Sequence, residues 1–407
     1  MAIERVILIV LDSLGIGAAP DAARFGDEKA NTLKHIGEWC KTHGKEFSLP
    51  NLSRWGLGKL MPTYGLASTT RPQAAFATLL ELSPGKDTTT GHWEMAGNIL
   101  TEEFPVFPQG FTDELLQTWC QENDLPGWLG NKAASGTTIM DELGEEHLRT
   151  GKPIVYTSGD SVFQVACSEE KFGLDRLYKI CVSARRLLDP LGIGRVIARP
   201  FVGSAPGSFK RTENRRDYSV PPPEPNMLDI LIERGCFVAG VGKIEDIFAH
   251  RSVSIVEHTG RNETSLAATT EVMKRTQGQR GLIFTNLIDF DQLHGHRRNP
   301  STYADALMAF DDYLPTLEAS CGPNDLLILT ADHGNDPTHP GSDHTRENVP
   351  LLAWTPQPGF KAQDLGGLSG FGAVARLTLE ALGFSADVIR LDGAHKSVSI
   401  AHRTGIY

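Results

Sequence analysis

Residues 330–347 hold acids, histidines and glycines in a spacing that suits metal binding. Asp332 and His333 follow closely after a short apolar stretch, residues 326–329, and His344 lies eleven residues beyond His333. The apolar stretch is typical of a buried strand, so the polar residues would lie at its C-terminal end. Open α/β sheets bind ligands at that end of their strands. Carboxylate and imidazole together favour a divalent cation.

Two other predicted strands end in comparable residues. Asp12 follows the apolar residues 6–11, and Asp291 and His296 follow Gly281–Leu287. Parallel neighbours bring their C-terminal ends to one edge of a sheet, so three carboxylates and three imidazoles would converge. Clustered carboxylates repel one another unless protons or cations neutralise them, which favours two divalent ions. Taken singly, each aspartate is more often a structural residue such as a helix N-cap than a metal ligand, so the prediction depends on the combination.

A threonine-rich loop, SPGKDTTTGHWE at residues 83–94, has the groups that phosphoryl transfer requires. It combines backbone amides, a cation and hydroxyls, and a bound metal can activate a threonine hydroxyl as a nucleophile. Chemistry alone does not choose among Thr88, Thr89 and Thr90, and such a loop in isolation is more often simply solvated. The spacing is not that of a Walker motif, and the glycine patterns do not match a dinucleotide fingerprint.

Length and composition limit the class of protein. The chain has 407 residues and a formal net charge of −11, which favours two domains and argues against nucleic acid or an anionic membrane as partner. Six cysteines are scattered along the chain, as expected for reduced thiols. No signal segment is apparent, and no apolar run approaches the roughly 20 residues of a membrane span. We therefore expect a cytoplasmic protein, and the sequence leaves its oligomeric state open.

Strand and helix patterns alternate near both ends of the chain. They predict an α/β fold in which a mostly parallel sheet is sandwiched by helices, with a further strand at Val349–Trp354. The middle of the chain has a different pattern and ends in a proline-rich stretch at residues 218–226. We expect residues 1–97 and 218–407 to form a metal-binding core, and residues 98–217 to form an inserted α+β cap domain.

Seven motifs in consistent order resemble the phosphopentomutase family of the alkaline phosphatase superfamily. They are VLDSLGIGAAPDA, GKDTTTGHWE, TSGDSVFQ, GRVIARPFVG, VGKIEDI, NLIDFDQLHGHRR and LTADHGNDPTHPGSDHTRE. The resemblance implies an alkaline-phosphatase-like core and an enzyme that interconverts (deoxy)ribose 1-phosphate and (deoxy)ribose 5-phosphate. It also implies a phosphothreonine, a sugar bisphosphate intermediate, two Mn²⁺ ions per chain and activation by a sugar 1,6- or 1,5-bisphosphate. The ligand types themselves would also allow Zn²⁺ or Mg²⁺.

The resemblance further assigns roles to single residues, with Thr88 as the nucleophile. It implies two metal sites, formed by Asp291, His296 and His344 and by Asp12, Asp332 and His333. It implies sugar-phosphate contacts from the cap residues Ser158, Asp160 and Arg195 and from the core residue Lys243. Each of the last four also has an ordinary structural explanation, such as an N-cap or a strand edge. Gly159 and Arg216 depart from the usual family pattern, which leaves substrate preference and the behaviour of the cap hinge open.

Other classes of function remain as alternatives. The same metals could serve a phosphatase or a phosphoglycerate mutase, whereas a sulfatase is not expected because no Cys-x-Pro-x-Arg motif is present. Release of phosphate from ribose 5-phosphate would favour the phosphatase, and turnover of a three-carbon acid would favour the glycerate mutase. A non-catalytic metal-binding scaffold is the remaining class. The threonine loop argues against it, because a scaffold does not need a hydroxyl beside two metals.

Overall fold

The computed structural model describes residues 2–158, 161–387 and 399–406. The chain divides into two compact units, the first comprising Met1–Glu102 and Pro222–Tyr407 and the second Glu103–Pro221. These divisions fall a few residues after the positions expected from the sequence. At the first of these divisions, the Leu100 amide still donates to the Ser83 hydroxyl in the first unit.

Fourteen strands form among the described residues. In chain order they are β1 Arg5–Leu11, β2 Ala75–Leu80, β3 Leu129–Ala133, β4 Ile154–Thr157, β5 Val162–Ser168, β6 Arg195–Val202, β7 Lys210–Arg211, β8 Arg216–Ser219, β9 Phe237–Val241, β10 Ile255–Glu257, β11 Gly281–Leu287, β12 Asp325–Thr330, β13 Val349–Trp354 and β14 Asp364–Ser369.

Thirteen α-helices form in the same ranges. They are α1 Thr32–His43, α2 Pro50–Trp55, α3 Leu57–Leu60, α4 Thr88–Met95, α5 Asp113–Glu122, α6 Gly136–Thr150, α7 Leu174–Leu188, α8 Met227–Glu233, α9 Ile244–Ile247, α10 Asn262–Arg275, α11 Pro300–Ser320, α12 Ala373–Ala381 and α13 Ile400–Thr404. A π-helical turn, Phe290–Gly295, follows β11. No helix in the described ranges combines the length and the apolarity that crossing a bilayer requires.

The first unit is built on an eight-stranded sheet in the order β10-β9-β11-β1-β12-β13-β2-β14. The central strand β1 is buried along its whole length and pairs in parallel with β11 and β12. Its aliphatic residues fill both faces of the sheet, as expected for a strand covered on both sides. The predicted α/β fold with a mostly parallel sheet is confirmed.

Strand β13 departs from the predicted alternation of parallel strands and helices. It runs antiparallel to both β12 and β2. The described chain between the end of β12 and the start of β13 contains no helix, and a parallel neighbour is usually reached through a helix that returns the chain to the start of the preceding strand. The connection instead forms a loop that carries Asp332, His333 and His344, and β13 is an antiparallel member of a mostly parallel sheet.

The second unit is an α+β fold built on a mixed sheet in the order β3-β4-β5-β6-β7, with β8 also paired to β6. Val155 of β4 packs in one apolar cluster with residues of α5 and α7. Its neighbours Ile154 and Tyr156 pack in another cluster with residues of α6. Because successive strand residues point to opposite faces, α5 and α7 cover one face of this sheet and α6 covers the other.

Candidate active site

Three adjacent central strands end level with one another at one edge of the first unit's sheet. Leu11 at the end of β1 pairs with Leu287 of β11, and Val10 pairs with Thr330 of β12. The chain leaves these strands through Asp12, through the π-helical turn Phe290–Gly295 and through Asp332. This register brings acidic residues far apart in sequence to the same place.

Asp12, Asp332 and His333 form the Asp12 cluster, in which one ligand atom from each residue lies within 4.8 Å of the others. Nε2 of His333 is 3.5 Å from Oδ1 of Asp12 and 3.4 Å from Oδ2 of Asp332. All three residues are buried. The arrangement offers two carboxylates and one imidazole to a single cation.

Asp291, His296 and His344 form the Asp291 cluster beside it. Nε2 of His344 is 3.4 Å from Oδ1 of Asp291, and Nε2 of His296 is 3.0 Å from Oδ2 of the same carboxylate. His333 also lies within 4.8 Å of Asp291 and His344, so it connects the two clusters. Asp291 and His344 are buried, whereas the side chain of His296 is 39% exposed. All six predicted metal ligands thus lie together.

The donor atoms of these clusters fit divalent cations. Oδ1 of Asp12, Oδ2 of Asp332 and Nε2 of His344 are buried and have no hydrogen-bond partner among the described residues. Leaving buried polar atoms unsatisfied costs free energy, which coordination to a metal ion would recover. Oxygen and imidazole donors without sulfur suit Mn²⁺, Mg²⁺ or Zn²⁺.

The charges in the clusters shift several pKa values in opposite directions. Burial, together with the carboxylates of Asp332 and Asp291, raises the pKa of Asp12 well above its ordinary value. Burial acts in the same sense on Asp291, but His344 and His296 outweigh it and hold the pKa of Asp291 well below its usual range. Burial lowers the pKa of His344, yet the Asp291 carboxylate leaves it above the ordinary value. A bound cation would displace these protons.

Ser13, directly after Asp12, has a left-handed backbone with φ of 72°, a conformation that costs a non-glycine residue roughly 1–3 kcal/mol. This conformation lets its amide donate to Oδ1 of Asp332 at 3.0 Å. Its hydroxyl lies 3.0 Å from the buried Tyr303 hydroxyl. The strained turn therefore fixes one oxygen of a predicted metal ligand and leaves the other available.

Thr88 is the first residue of α4, and its hydroxyl lies 3.2 Å from Nε2 of His333. The preceding residue, Asp87, caps the helix by accepting hydrogen bonds from the amides of Thr89 and Thr90. The Thr90 hydroxyl also donates to Asp87 and is buried. Among these three threonines, a contact with a predicted metal ligand is found for Thr88.

Two buried side chains hold the loop that precedes Thr88. Glu94 accepts a hydrogen bond from the Ser83 amide at 2.6 Å. Arg346 donates to the carbonyls of Ser83 and Gly85 and forms an ion pair with Glu81. The contacts of Arg346 join residues more than 260 positions apart in the sequence. Together with those of Glu94, they fix the position of the loop and of the helix that begins after it.

Sequence reasoning missed three polar residues that contact the predicted ligands. Asn335 donates to Oδ1 of Asp291 at 2.7 Å. Asn286 donates to Oδ2 of Asp12 at 3.0 Å, and His92 lies 3.2 Å from Oδ2 of Asp332. Two sequence signals could have found the last two. Asn286 interrupts an otherwise largely apolar strand, and His92 follows Thr88 by one helical turn.

The predicted sugar-phosphate contacts lie in both units. Lys243 follows β9 in the first unit and is half-buried, at the same sheet edge as the end of β11, because the two strands are parallel. In the second unit, Ser158 follows β4, and Arg195 begins β6 opposite Val162 at the start of β5. These two residues share one edge of their sheet, since β4 is antiparallel to β5. Asp160 lies outside the described residues.

Comparison with known proteins gives the family. The family model of the metalloenzyme superfamily matches residues 4–386. The chain is 50% identical over 385 residues to a phosphopentomutase of Pseudoalteromonas translucida, covering 91% of this chain and 93% of that protein. It is 53% identical over 352 residues to a phosphopentomutase of Carboxydothermus hydrogenoformans, covering 86% of this chain and 89% of that protein. The chain belongs to the phosphopentomutase family.

Membership in the phosphopentomutase family confirms the resemblance seen in the seven motifs and the prediction of an enzyme of this class. The metalloenzyme match and the two clusters also support the prediction of bound divalent metals. A solved structure of a Pyrococcus horikoshii protein covers 97% of this chain and 100% of its own, with a TM-score of 0.50 at 15% identity. At that identity it supports the fold alone.

Proposed function

We propose that the chain interconverts (deoxy)ribose 1-phosphate and (deoxy)ribose 5-phosphate through a phosphorylated Thr88 and a sugar bisphosphate. The observation that supports this most directly is the 3.2 Å distance between the Thr88 hydroxyl and His333, a residue that contacts both buried clusters. A phosphatase or mutase needs a nucleophile beside its metals, and a scaffold does not.

Asp291, His296 and His344 would hold one Mn²⁺ ion, and Asp12, Asp332 and His333 would hold the other. When bound, the two cations would lower the pKa of a nucleophilic hydroxyl and neutralise charge on the transferring phosphoryl group. The fit of the residues rests on their chemistry: six oxygen and nitrogen donors, five of the six residues buried, and three buried atoms with no hydrogen bond.

Thr88 gives and receives the phosphoryl group in this proposal. The bond between phosphorus and the threonine oxygen breaks as a bond to a free sugar hydroxyl forms, which gives the bisphosphate. The other phosphate of the bisphosphate then returns to the Thr88 oxygen, so the enzyme is restored and the sugar phosphate is isomerised. The N-terminal end of α4 favours this charge through the helix dipole, since the amides of Thr89 and Thr90 are already bonded to Asp87.

The sugar phosphate would be held by Ser158, Asp160 and Arg195 of the second unit and by Lys243 of the first. A guanidinium group suits a phosphate because its planar fork donates two parallel hydrogen bonds, which an ammonium group cannot do. Exclusion of water from the bound sugar phosphate would protect the phosphothreonine from hydrolysis.

A sugar 1,6- or 1,5-bisphosphate would act as an activator, because it can phosphorylate Thr88 before the first turnover. A cytoplasmic location is part of the same proposal. It is supported by six free cysteines, five of them buried, since unpaired thiols are typical of reducing compartments.

The deciding experiment supplies ribose 1-phosphate, Mn²⁺ and a trace of glucose 1,6-bisphosphate to the purified protein and follows ³¹P resonances. Formation of ribose 5-phosphate without matching release of inorganic phosphate is the expected result. Release of phosphate in place of isomerisation would indicate a phosphatase. A parallel assay supplies a phosphoglycerate in place of ribose 1-phosphate, and turnover in that assay alone would indicate a glycerate mutase.

A further inference from the structure

A fully buried imidazole connects the helix of the nucleophile with the Asp12 cluster. His92 lies on α4, one turn after Thr88, and has no exposed surface. Its Nδ1 atom is 2.9 Å from the Thr88 carbonyl oxygen and 3.2 Å from Oδ2 of Asp332. Its ring stacks on Phe284 of β11 with a centroid distance of 5.7 Å. Three kinds of contact therefore fix this side chain.

Asn286 of β11 extends the connection to the second carboxylate. Its amide nitrogen lies 3.0 Å from Oδ2 of Asp12 and 3.2 Å from Nε2 of His92. With Asp12 ionised, as metal binding requires, the opposite amide orientation would place an oxygen against the carboxylate, so the nitrogen faces both partners. An amide nitrogen only donates, which makes Nε2 of His92 the acceptor and leaves the imidazole proton on Nδ1.

These contacts leave one oxygen of each carboxylate available. Asn286 takes Oδ2 of Asp12, while Oδ1 of Asp12 has no hydrogen bond. The Ser13 amide takes Oδ1 of Asp332, and Oδ2 of Asp332 has Nδ1 of His92 at 3.2 Å and no other hydrogen-bond donor from the described residues. A histidine whose only role was core packing would not need contacts with the nucleophile's backbone, with Asp332 and with the asparagine that holds Asp12.

We propose that His92 and Asn286 act together as positioning residues that align Asp12 and Asp332 for one cation and hold Thr88 beside them. The inference rests on the proposed function, which assigns those carboxylates to a metal ion. Groups that orient metal ligands commonly change metal affinity or activity by roughly 10- to 100-fold when they are replaced. The His92 imidazole links the two parts of the reaction centre, because it contacts both the Thr88 carbonyl and Asp332.

The test is the metal affinity of each cluster in the variant His92→Phe, which keeps an aromatic ring against Phe284. Mn²⁺ binding is measured by calorimetry in a His344→Ala background, which retains the Asp12 cluster, and in an Asp12→Ala background, which retains the Asp291 cluster. We expect binding to weaken roughly 10- to 100-fold in the first background and to change little in the second. The melting temperature of the metal-free protein should stay close to that of the parent.

Trp93→Phe is the matched control, since Trp93 is buried on the same helix and donates to the Ile247 carbonyl, away from the clusters. It should leave both affinities unchanged.

Two further variants separate positioning from packing. His92→Asn keeps a donor near the position of Nδ1 and should recover part of the turnover number lost in His92→Phe. Asn286→Ala should weaken the Asp12 cluster, and its effect should not add to that of His92→Phe.

Unchanged affinity of the Asp12 cluster in His92→Phe would overturn the inference. Equal weakening of both clusters with a lowered melting temperature would overturn it as well, because that pattern indicates general loss of packing. If His92→Phe does not fold, the same measurements on His92→Asn and Asn286→Ala decide the question. Failure of the wild-type protein to isomerise ribose 1-phosphate would reject the proposed function only, since the metal affinities are measured without substrate.

Discussion

The hydroxyl oxygen of Thr88 lies 3.2 Å from Nε2 of His333. This contact joins the first residue of α4 to the histidine that connects the two ligand clusters. Thr90, which is chemically equivalent, instead bonds to the capping residue Asp87. The helix cap thus distinguishes Thr88 from Thr90. The Thr90 hydroxyl stabilises the start of the helix, while the Thr88 hydroxyl contacts His333 of the Asp12 cluster.

Thr88→Ala should abolish mutase turnover, which means a fall in kcat of at least about 10³-fold, because the variant has no oxygen to carry the phosphoryl group. Mn²⁺ binding should remain nearly intact, since all six ligands are kept. Initial rates with ribose 1-phosphate and calorimetric titration with Mn²⁺ measure the two effects. Thr89→Ala is the control and should retain turnover. Full activity of Thr88→Ala would assign the nucleophile to another residue.

Removal of divalent cations should inactivate the protein, and added Mn²⁺ should restore it. The three buried atoms without hydrogen bonds also predict a lower melting temperature for the metal-free form. A ligand that binds only the folded state at 100 times its dissociation constant stabilises it by about 2.7 kcal/mol. Activity and melting curves with and without EDTA provide the measurement. Turnover that persists in excess chelator would rule out the metal mechanism.

Arg298 should matter more for the Asp291 cluster than for the Asp12 cluster. Its guanidinium donates to the carbonyls of Gly341 at 2.6 Å and Asp343 at 2.7 Å, which fixes the loop that ends in His344. Arg298→Lys removes the planar fork and should weaken Mn²⁺ binding at the Asp291 cluster roughly 10-fold.

The neighbouring variant Arg297→Lys is the control for that substitution, because Arg297 is exposed and should tolerate the change. Both variants are titrated in the Asp12→Ala and His344→Ala backgrounds. A loss of equal size at both clusters would show that Arg298 supports the unit as a whole, and the specific role would then be wrong.

Part of this site could be predicted from sequence because strand ends follow directly from apolar stretches. Gly281–Leu287 has the bounds expected from the sequence, and Asp12 and Asp332 lie where its parallel neighbours end. The direction of β13 was not predictable from its own residues, since it depends on the helix-free path of the chain before it. Arg298 was also missed, because its contacts depend on a left-handed backbone, with φ of 51°, and on the fold of a loop more than 40 residues away.

Metal affinity should fall as the pH falls. Coordination requires the unprotonated Nε2 of His344, whose pKa lies above its ordinary value because the Asp291 carboxylate outweighs burial. Asp12, with its raised pKa, adds to the competition from protons in the same direction. Affinity should be full at pH values above the raised pKa of His344 and should decline as the pH falls below it. Because that pKa is raised, the decline should begin above the ordinary imidazole value of about 6.5.

Calorimetry in two buffers with different ionisation enthalpies measures both the affinity and the number of protons released on Mn²⁺ binding. Proton release should increase as the pH is lowered through the window. An affinity that does not change between about pH 6 and about pH 8.5 would contradict the direction of the His344 shift.

Arg195→Lys should raise KM for ribose 1-phosphate more than it lowers kcat. Arg195 begins β6 at the sheet edge where Ser158 also lies, and its guanidinium is the group proposed to hold the distal phosphate. Lysine keeps the charge but loses the paired donors, so binding common to the ground state and the transition state should weaken, by roughly 10-fold.

Arg176→Lys is the control in the same unit, since Arg176 packs over Phe172 at 4.6 Å and has no proposed role. Steady-state kinetics of both variants decide the matter, and a KM that stays at the wild-type value in Arg195→Lys would remove Arg195 from the substrate site.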